Sequence, residues 1–448
     1  LKRSVWVSAL ITVLLLSACS GKSNENSPPN SNSGSESSAP AASASNASGQ
    51  TQDEPVEITF WHIFSDTEQG SKTLQSLVDQ FQQENPNIKV KTTGYGFFDY
   101  QPKLQTATAA GEAPDLAFND IDNVPLRAKT DTIAKLDDFL AADPILDGYS
   151  PSIVERMKYN GSTYAIPFMI DVRMLYYNKQ HFREAGLDPE KPPANWDELY
   201  DYAQKLTVKK GGGFDRIGFA PSLGNFYFWT MAWTNGGSFF DDAQNPTINS
   251  KENVEALNYW VKLQDLYGVK AFQTFNSQVT ALNLSPFIAE KASMVVDGNW
   301  LTDDIAKNKP DLDYGVAPIP YQTNRTTWSG GFNLEINAKS DPAKQEAAWK
   351  LLKFLVNNES TKKYVEETHF ISPNPNGMAL TNLASDPHFG PFVEESKNIR
   401  LRDYVEKAPT WANDVATAVE KAVLHDKTPQ EALDEAQKIV SDQIANFK

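Results

Sequence analysis

Apolar residues recur along this chain with two periods, and the switches between them mark out its elements. Val56-Glu57-Ile58-Thr59-Phe60-Trp61 alternates like a strand, and Leu74, Leu77, Val78 and Phe81 then fall at helical spacing until Asn85-Pro86 stops the run. Ile88-Lys89-Val90-Lys91 alternates again, so the spacing predicts strand, helix, strand with parallel pairing. A helix over 104–110 closed by Gly111 and a short strand over 114–118 continue an α/β pattern. Further on, Asn195 and Glu198 have capping-box spacing, and Ser250 precedes a helix carrying Val254, Leu257 and Val261. Met294-Val295-Val296, Tyr314-Gly315-Val316-Ala317 and Leu334-Glu335-Ile336 read as strands. Asp341 is the expected cap of a helix with Pro342 in its first turn and Ala348, Leu351, Leu352 and Leu355 on one face. The tail is helical: Trp411, Val415, Ala418 and Ala422 line one side, and Thr428-Pro429 with Glu431 opens the last helix.

The stretch 159–182 organises the rest. Asn160-Gly161 is a tight-turn pair, and the short strand expected over 164–168 contains Pro167, which excludes a central ladder position there. Asp171 and Arg173 follow, and then Met174-Leu175-Tyr176-Tyr177 is apolar enough for a buried strand. Two strands joined through a proline and two opposite charges look like a crossing from one sheet to another. The ordered set Tyr159-Asn160-Gly161, Tyr164, Pro167, Tyr177-Asn178-Lys179 and Asn195-Trp196-Asp197-Glu198-Leu199 resembles the first interlobe crossing of bacterial extracellular solute-binding proteins, the carbohydrate-binding family that includes maltose-binding protein. The match runs in order from about position 56 to the C-terminus. This resemblance implies an α/β, two-lobe periplasmic-binding-protein-like fold of the class II type, with mixed sheets flanked by helices and hinge crossings near 168–171, 328–331 and 370–373. It divides the chain into 55–168 with 329–370 as a first lobe and 169–328 with 371–448 as a second.

Composition adds compartment and partners. The chain has 448 residues, enough for two ordinary domains, and a formal net charge of −16, which argues against nucleic acid. Its one cysteine is Cys19. Lys2 and Arg3 precede an apolar run over 5–16 of signal-peptide length, and Leu16-Ser17-Ala18-Cys19 resembles the lipobox of bacterial lipoproteins. On that reading 1–18 is a signal peptide and Cys19 is lipidated, with an ordinary signal peptide and an incidental cysteine as the alternative. Residues 20–53 are rich in Ser, Asn, Ala, Gly and Pro and read as a disordered tether, so that 19–54 would be lipidated N-terminus and linker. The expected place is the extracellular face of the bacterial cytoplasmic membrane, held by acyl chains rather than a spanning helix.

The candidate chemistry is a sugar cleft. A pyranose has one apolar face and a rim of hydroxyls; indoles stack on the face while carboxylates and amides bond the rim. Trp61 and Asp66 follow the first strand, and Asn119, Asp120 and Asp122 follow the 114–118 strand. Trp229 and Trp233, with Phe226 and Tyr227, precede Gly236; Trp300 follows Asp297-Gly298-Asn299; Trp411 opens a late helix. For Trp61, Trp233 and Trp411 a core position weighs as much as a cleft one, whereas Trp300, in a polar turn, reads as cleft. Trp196, Trp260 and Trp349 lie within helices and read as packing. The resemblance implies ligand contacts at Asp66, Asn119, Asp120, Asp122, Tyr227, Trp229, Trp300 and Trp411; Asp171 and Gly331, at crossings, complete the candidate set. Asp171 and Arg173 could hold a ligand or pair with each other across the hinge, and pairing is the favoured reading. Asn119 stands where the family commonly has an aromatic, and Gly224 or Asn225 where it has an acid, so the ligand does not carry over from maltose.

Other chemistries fit poorly. The 241–252 segment has acids at the ends of a calcium-loop spacing, but Ala243 and Pro246 occupy places that need a ligand and a glycine. The five histidines have no metal spacing, and no cofactor is expected. Three functions remain: a binding component of an ABC importer, a secreted glycoside hydrolase with Asp66 and Asp120 as its acids, or a binder of a non-sugar solute. The first, which the resemblance favours, implies a monomer whose partners are a carbohydrate and the importer's transmembrane subunits.

Overall fold

A computed structural model describes residues 55–447; the candidate signal segment, Cys19 and the tether lie outside the described residues. The strands that carry the architecture are β1 (Val56–His62), β2 (Ile88–Gly94), β3 (Leu116–Asp120), β4 (Ile166–Ile170), β5 (Arg173–Asn178), β6 (Met294–Gly298), β7 (Tyr314–Ala317), β8 (Thr327–Trp328), β9 (Gly331–Ile336) and β10 (Ile399–Arg400). The helices needed below are α1 (Gln69–Glu84), α2 (Phe97–Ala110), α3 (Phe228–Thr234), α4 (Leu301–Asn308), α5 (Pro342–Leu355), α6 (Asn358–Thr368), α7 (Trp411–Val423) and α8 (Pro429–Asn446).

Five strands form a mixed sheet in the order β2-β1-β3-β9-β4. β1 runs parallel to β2 and β3, as the strand-helix-strand spacing requires, and β9 is antiparallel to β3 and β4. A second sheet has the order β6-β5-β7, all antiparallel. The chain therefore leaves the first sheet at Ile170 and enters the second at Arg173, which is the crossing read from the sequence. Pro167 sits in β4 at the sheet edge, where its missing N–H is least costly. β4 starts later and runs further than the expected 164–168, because Ile170 is paired on both sides. Gly331 is its partner in β9, and its N–H donates to the Ile371 carbonyl at 2.8 Å. All three crossings thus meet at one residue.

The two sheets have separate cores. Ile58, Phe60, Leu77, Phe118, Leu334 and Leu352 pack between the first sheet, α1 and α5. Each such fully buried side chain contributes about 1.5–3 kcal/mol. Around the second sheet, Phe182, Trp233, Leu257 and Trp411 form one cluster, and Tyr176, Ile217, Phe287 and Ile305 another. The helical indoles Trp196, Trp260 and Trp349 are all buried.

The caps mostly follow the sequence. Thr428 and Glu431 bond each other's backbone N–H groups at 3.3 and 3.0 Å, and Asn195 accepts from the Glu198 N–H at 3.0 Å. Asp341 departs from expectation: its side chain makes no cap bond, because its own carbonyl already accepts from the N–H groups of Lys344 and Gln345 at 2.9 Å each. α2 begins at Phe97 rather than 104 and contains Pro102. The carbonyl that Pro102 leaves without a donor belongs to the exposed Phe98, where water can satisfy it. Among the described residues no helix is long and apolar enough to cross a membrane.

Candidate functional site

Ligands of α/β sheets lie beyond the carboxyl ends of the parallel strands, and here that edge gathers residues from every strand of the first sheet. β1, β2 and β3 end there, β9 begins there, and β4 ends there on its way to Asp171. The wall they make is a network of charges. Arg127 donates through Nε to both Glu335 carboxylate oxygens at 2.9 Å and through its guanidinium to Asp120 at 3.1 Å. Asn119 donates to Glu335 at 3.1 Å and accepts from Gln101 at 3.0 Å. Asp120 also accepts from the backbone and side chain of Asn123 at 3.0 and 2.8 Å, which holds the turn after β3. Burial opposes the Arg127 charge, but Glu335 and Asp120 more than offset it and hold its pKa above the ordinary value.

A second cluster is aromatic. Tyr227 lies flat on Trp229, rings 4.5 Å apart and 9° from parallel, and meets Trp328 edge-on at 4.7 Å. Trp328 also meets Trp229 edge-on at 5.3 Å. The Arg173 guanidinium lies 3.6 Å from the centre of the Trp328 ring and 5.3 Å from that of Trp300. It is fixed there by Asn225 at 2.9 Å, by an ion pair with Asp171 and by the Trp328 carbonyl at 3.3 Å. Asp171 in turn accepts from the Gly330 N–H at 2.7 Å, so one carboxylate ties the first crossing to the second. The indole N–H groups of Trp229 and Trp328 are buried without a hydrogen-bond acceptor among the described residues. Buried donors of this kind are costly unless a ligand or water accepts from them.

Asp122 joins the two walls. It pairs with Arg156 at 3.4 Å and with Arg402 at 3.0 Å, and Arg402 lies 5.6 Å from the Trp229 ring. Burial pushes the Asp122 pKa up, against the pull of Arg402 and Arg156. Lys129 adds a second link to the same C-terminal segment through Glu406 at 2.6 Å.

The structure thus brings Asn119, Asp120, Asp122, Asp171, Tyr227, Trp229 and Trp300 into one connected band. The side chains of the remaining candidates take no part in this network. Trp411 is buried beneath Trp229 with its N–H bonded to the Asp403 carbonyl at 3.0 Å, and Trp233 is buried under Arg400. Asp66 is exposed just before α1 and takes no part in the network. Trp61 packs edge-on against Tyr95, 5.1 Å away. Gly331 serves the backbone: at φ 134° it approaches β4 so closely that a Cβ would lie 2.2 Å from the Met169 carbonyl oxygen. Trp328, Arg127, Arg156, Glu335 and Arg402 belong to the band without having been singled out; the only sequence signal was the place of Trp328 just ahead of Gly330-Gly331.

Among the described residues no group of three or more His, Cys, Asp or Glu is arranged to hold a metal ion. Asp241 is occupied instead as a turn acceptor for the backbone N–H groups of Ala243 and Asn245, at 2.9 and 2.8 Å.

A family model described as bacterial extracellular solute-binding protein matches residues 65–362. The maltotriose-binding protein of Pyrococcus abyssi is 24% identical over 343 residues, covering 74% of this chain and 68% of that one. The sn-glycerol-3-phosphate-binding periplasmic protein of Escherichia coli is 25% identical over 420 residues, covering 85% and 90%. A solved structure described as CpMnBP1 with mannotriose bound superposes with a TM-score of 0.75 at 26% identity, over 86% of this chain and 99% of that one.

Proposed function

The chain belongs to the bacterial extracellular solute-binding proteins, and we propose that within that family it is the sugar-binding component of an ABC importer. The observation that carries this reading is the stacked Tyr227–Trp229 pair with Trp328 and Arg173, linked through Asp122 to the carboxylates of the first sheet. An aromatic wall opposite an acid-and-amide wall suits a pyranose, which needs a stacking surface and hydroxyl partners together. The names of the relatives, one for maltotriose and one for a mannotriose complex, point the same way.

A phosphate-bearing solute fits less well. It would call for a cation free to pair with it, yet Arg127, Arg156, Arg173 and Arg402 are each already paired with Asp120, Asp122, Asp171 or Glu335. Catalysis also lacks support. Asp120, the better placed of the two acids a hydrolase would need, already accepts from Asn123 and Arg127, and Asp66 stands outside the network.

The lobes are 55–168 with 329–370, the first part carried on to Ile170 by β4, and the rest of 169–328 with 371–448; a ligand touching both walls favours the closed arrangement because it binds that state more tightly. The closed protein then presents both lobes to the importer's transmembrane subunits and gives up the sugar unaltered. It acts as a monomer, held outside the cytoplasmic membrane through acyl chains on Cys19. Titration of tryptophan fluorescence with malto- and manno-oligosaccharides tests the reading. Saturable change at one site, with the saccharide recovered uncut, is the expected result; steady release of reducing ends would overturn it.

A further inference from the structure

The first wall carries an aromatic pair that the site described above does not use. Phe98 is 90% exposed and Phe97 57%, and the two stand adjacent in the first turn of α2 with rings 5.4 Å apart. No other large apolar side chain among the described residues is as exposed as Phe98. Isolated exposed apolar residues need no explanation, but two neighbouring phenylalanines on a strongly acidic protein do.

Their place is set by three contacts. The Phe97 ring meets Phe332 edge-on at 6.2 Å, and Phe332 is the register partner of Asp120 where β9 pairs with β3. One turn along α2, Gln101 donates to the Asn119 side chain at 3.0 Å. α2 itself follows β2, whose last residues pair with the end of β1, where Trp61 meets Tyr95. The pair is therefore fastened to the same sheet edge as Asn119 and Asp120, beyond the carboxyl ends of the parallel strands.

Resting on the sugar-binding reading, we propose that Phe97 and Phe98 form an outer stacking subsite for a distal glycosyl ring, so that the cleft selects oligosaccharides over monosaccharides. The inner ring is held by the Tyr227–Trp328 wall and the Asp120 network. A further ring reaching outward meets the phenylalanine faces. Phe97 is braced by Phe332, and Phe98 is the free face.

Isothermal titration calorimetry of the full chain with mannose to mannotetraose, and with glucose to maltotetraose, tests this. In one series, wild-type affinity should rise with length. Phe98→Ala should weaken the three- and four-ring ligands roughly tenfold and leave the shortest bound ligand unchanged. Phe98→Trp should restore the length dependence. The exposure of Phe98 makes both variants compatible with folding, to be checked by thermal melting. Equal affinity of Phe98→Ala and wild type at every length, or one common factor at every length, would overturn the subsite. So would normal saccharide binding with lost stimulation of importer ATPase activity, which would make the pair a permease contact. Absence of heat from the wild type with every saccharide would instead overturn the sugar reading itself, and the subsite with it.

Discussion

The two sides of the candidate site are built on opposite principles. On the first sheet, polar groups are already satisfied by one another: Glu335, Arg127, Asn119 and Asp120 form a closed set of bonds at strand ends. On the other side, Tyr227, Trp229, Trp328 and Trp300 present rings, and the buried Arg173 guanidinium lies against Trp328 and Trp300. The first wall is rigid because removing Glu335 or Arg127 strands a buried charge. The second offers stacking surface whose loss removes contact area but strands nothing. Stability should therefore reside in the first wall and ligand affinity in the second.

The largest effect should come from removing Glu335, which is almost fully buried. Glu335→Leu leaves Arg127 without its main partner and should lower unfolding free energy by about 3–5 kcal/mol in denaturant titrations. Adding Arg127→Met should recover much of that loss, whereas a small effect of the single variant would deny that the first wall is a linked unit.

Acid should then separate the walls by sign. Burial lowers the His62 pKa to about 4 at the end of β1, so its contribution is full above the unfolded value of 6.5 and is lost as pH falls toward 4. Burial raises Asp297, beside Arg173, to about 6, so its contribution is full below the unfolded 3.8 and is lost as pH rises through 6. Each could amount to up to ~3 kcal/mol. Melting curves between pH 4 and 8 should show His62→Gln with less acid loss than wild type and Asp297→Asn with a relative gain at neutral pH. Equal slopes in all three proteins would contradict the assignment.

Third, Tyr227→Ala should cost less than about 1 kcal/mol of stability yet weaken saccharide binding roughly tenfold or more. Calorimetry and melting on the same sample read both. A variant that unfolds but binds normally when folded would reverse the comparison.

The smallest effect concerns His369, whose ring bonds Asp303 of α4 at 2.7 Å. That bond raises its pKa, so the stabilisation is full below 6.5 and disappears as pH rises through the raised value. His369→Gln should lower stability by less than ~1 kcal/mol, and only on the acidic side.

The scaffold was legible in the sequence because burial imposes period. Alternation gave β1 and β2, helical spacing gave α1 and α5, and Pro167 with Asp171 and Arg173 marked the step between sheets. The same periodicity held the answer for Trp411, which lines up with Val415, Ala418 and Ala422 on the side of α7 that proved buried. The charge network was not legible. Glu335 is the central residue of an alternating Leu-Glu-Ile triplet and looks solvent-facing, while its partner Arg127 lies 208 positions away. Trp328 belongs to a strand of two residues, too short for any period to place its ring.

The central claim is that a saccharide bridges the two walls and draws them together. Small-angle X-ray scattering of the full chain, alone and saturated with the tightest ligand of the manno- and malto-oligosaccharide series, measures this directly. The radius of gyration should fall on saturation, and a bound saccharide that leaves it unchanged would contradict the account.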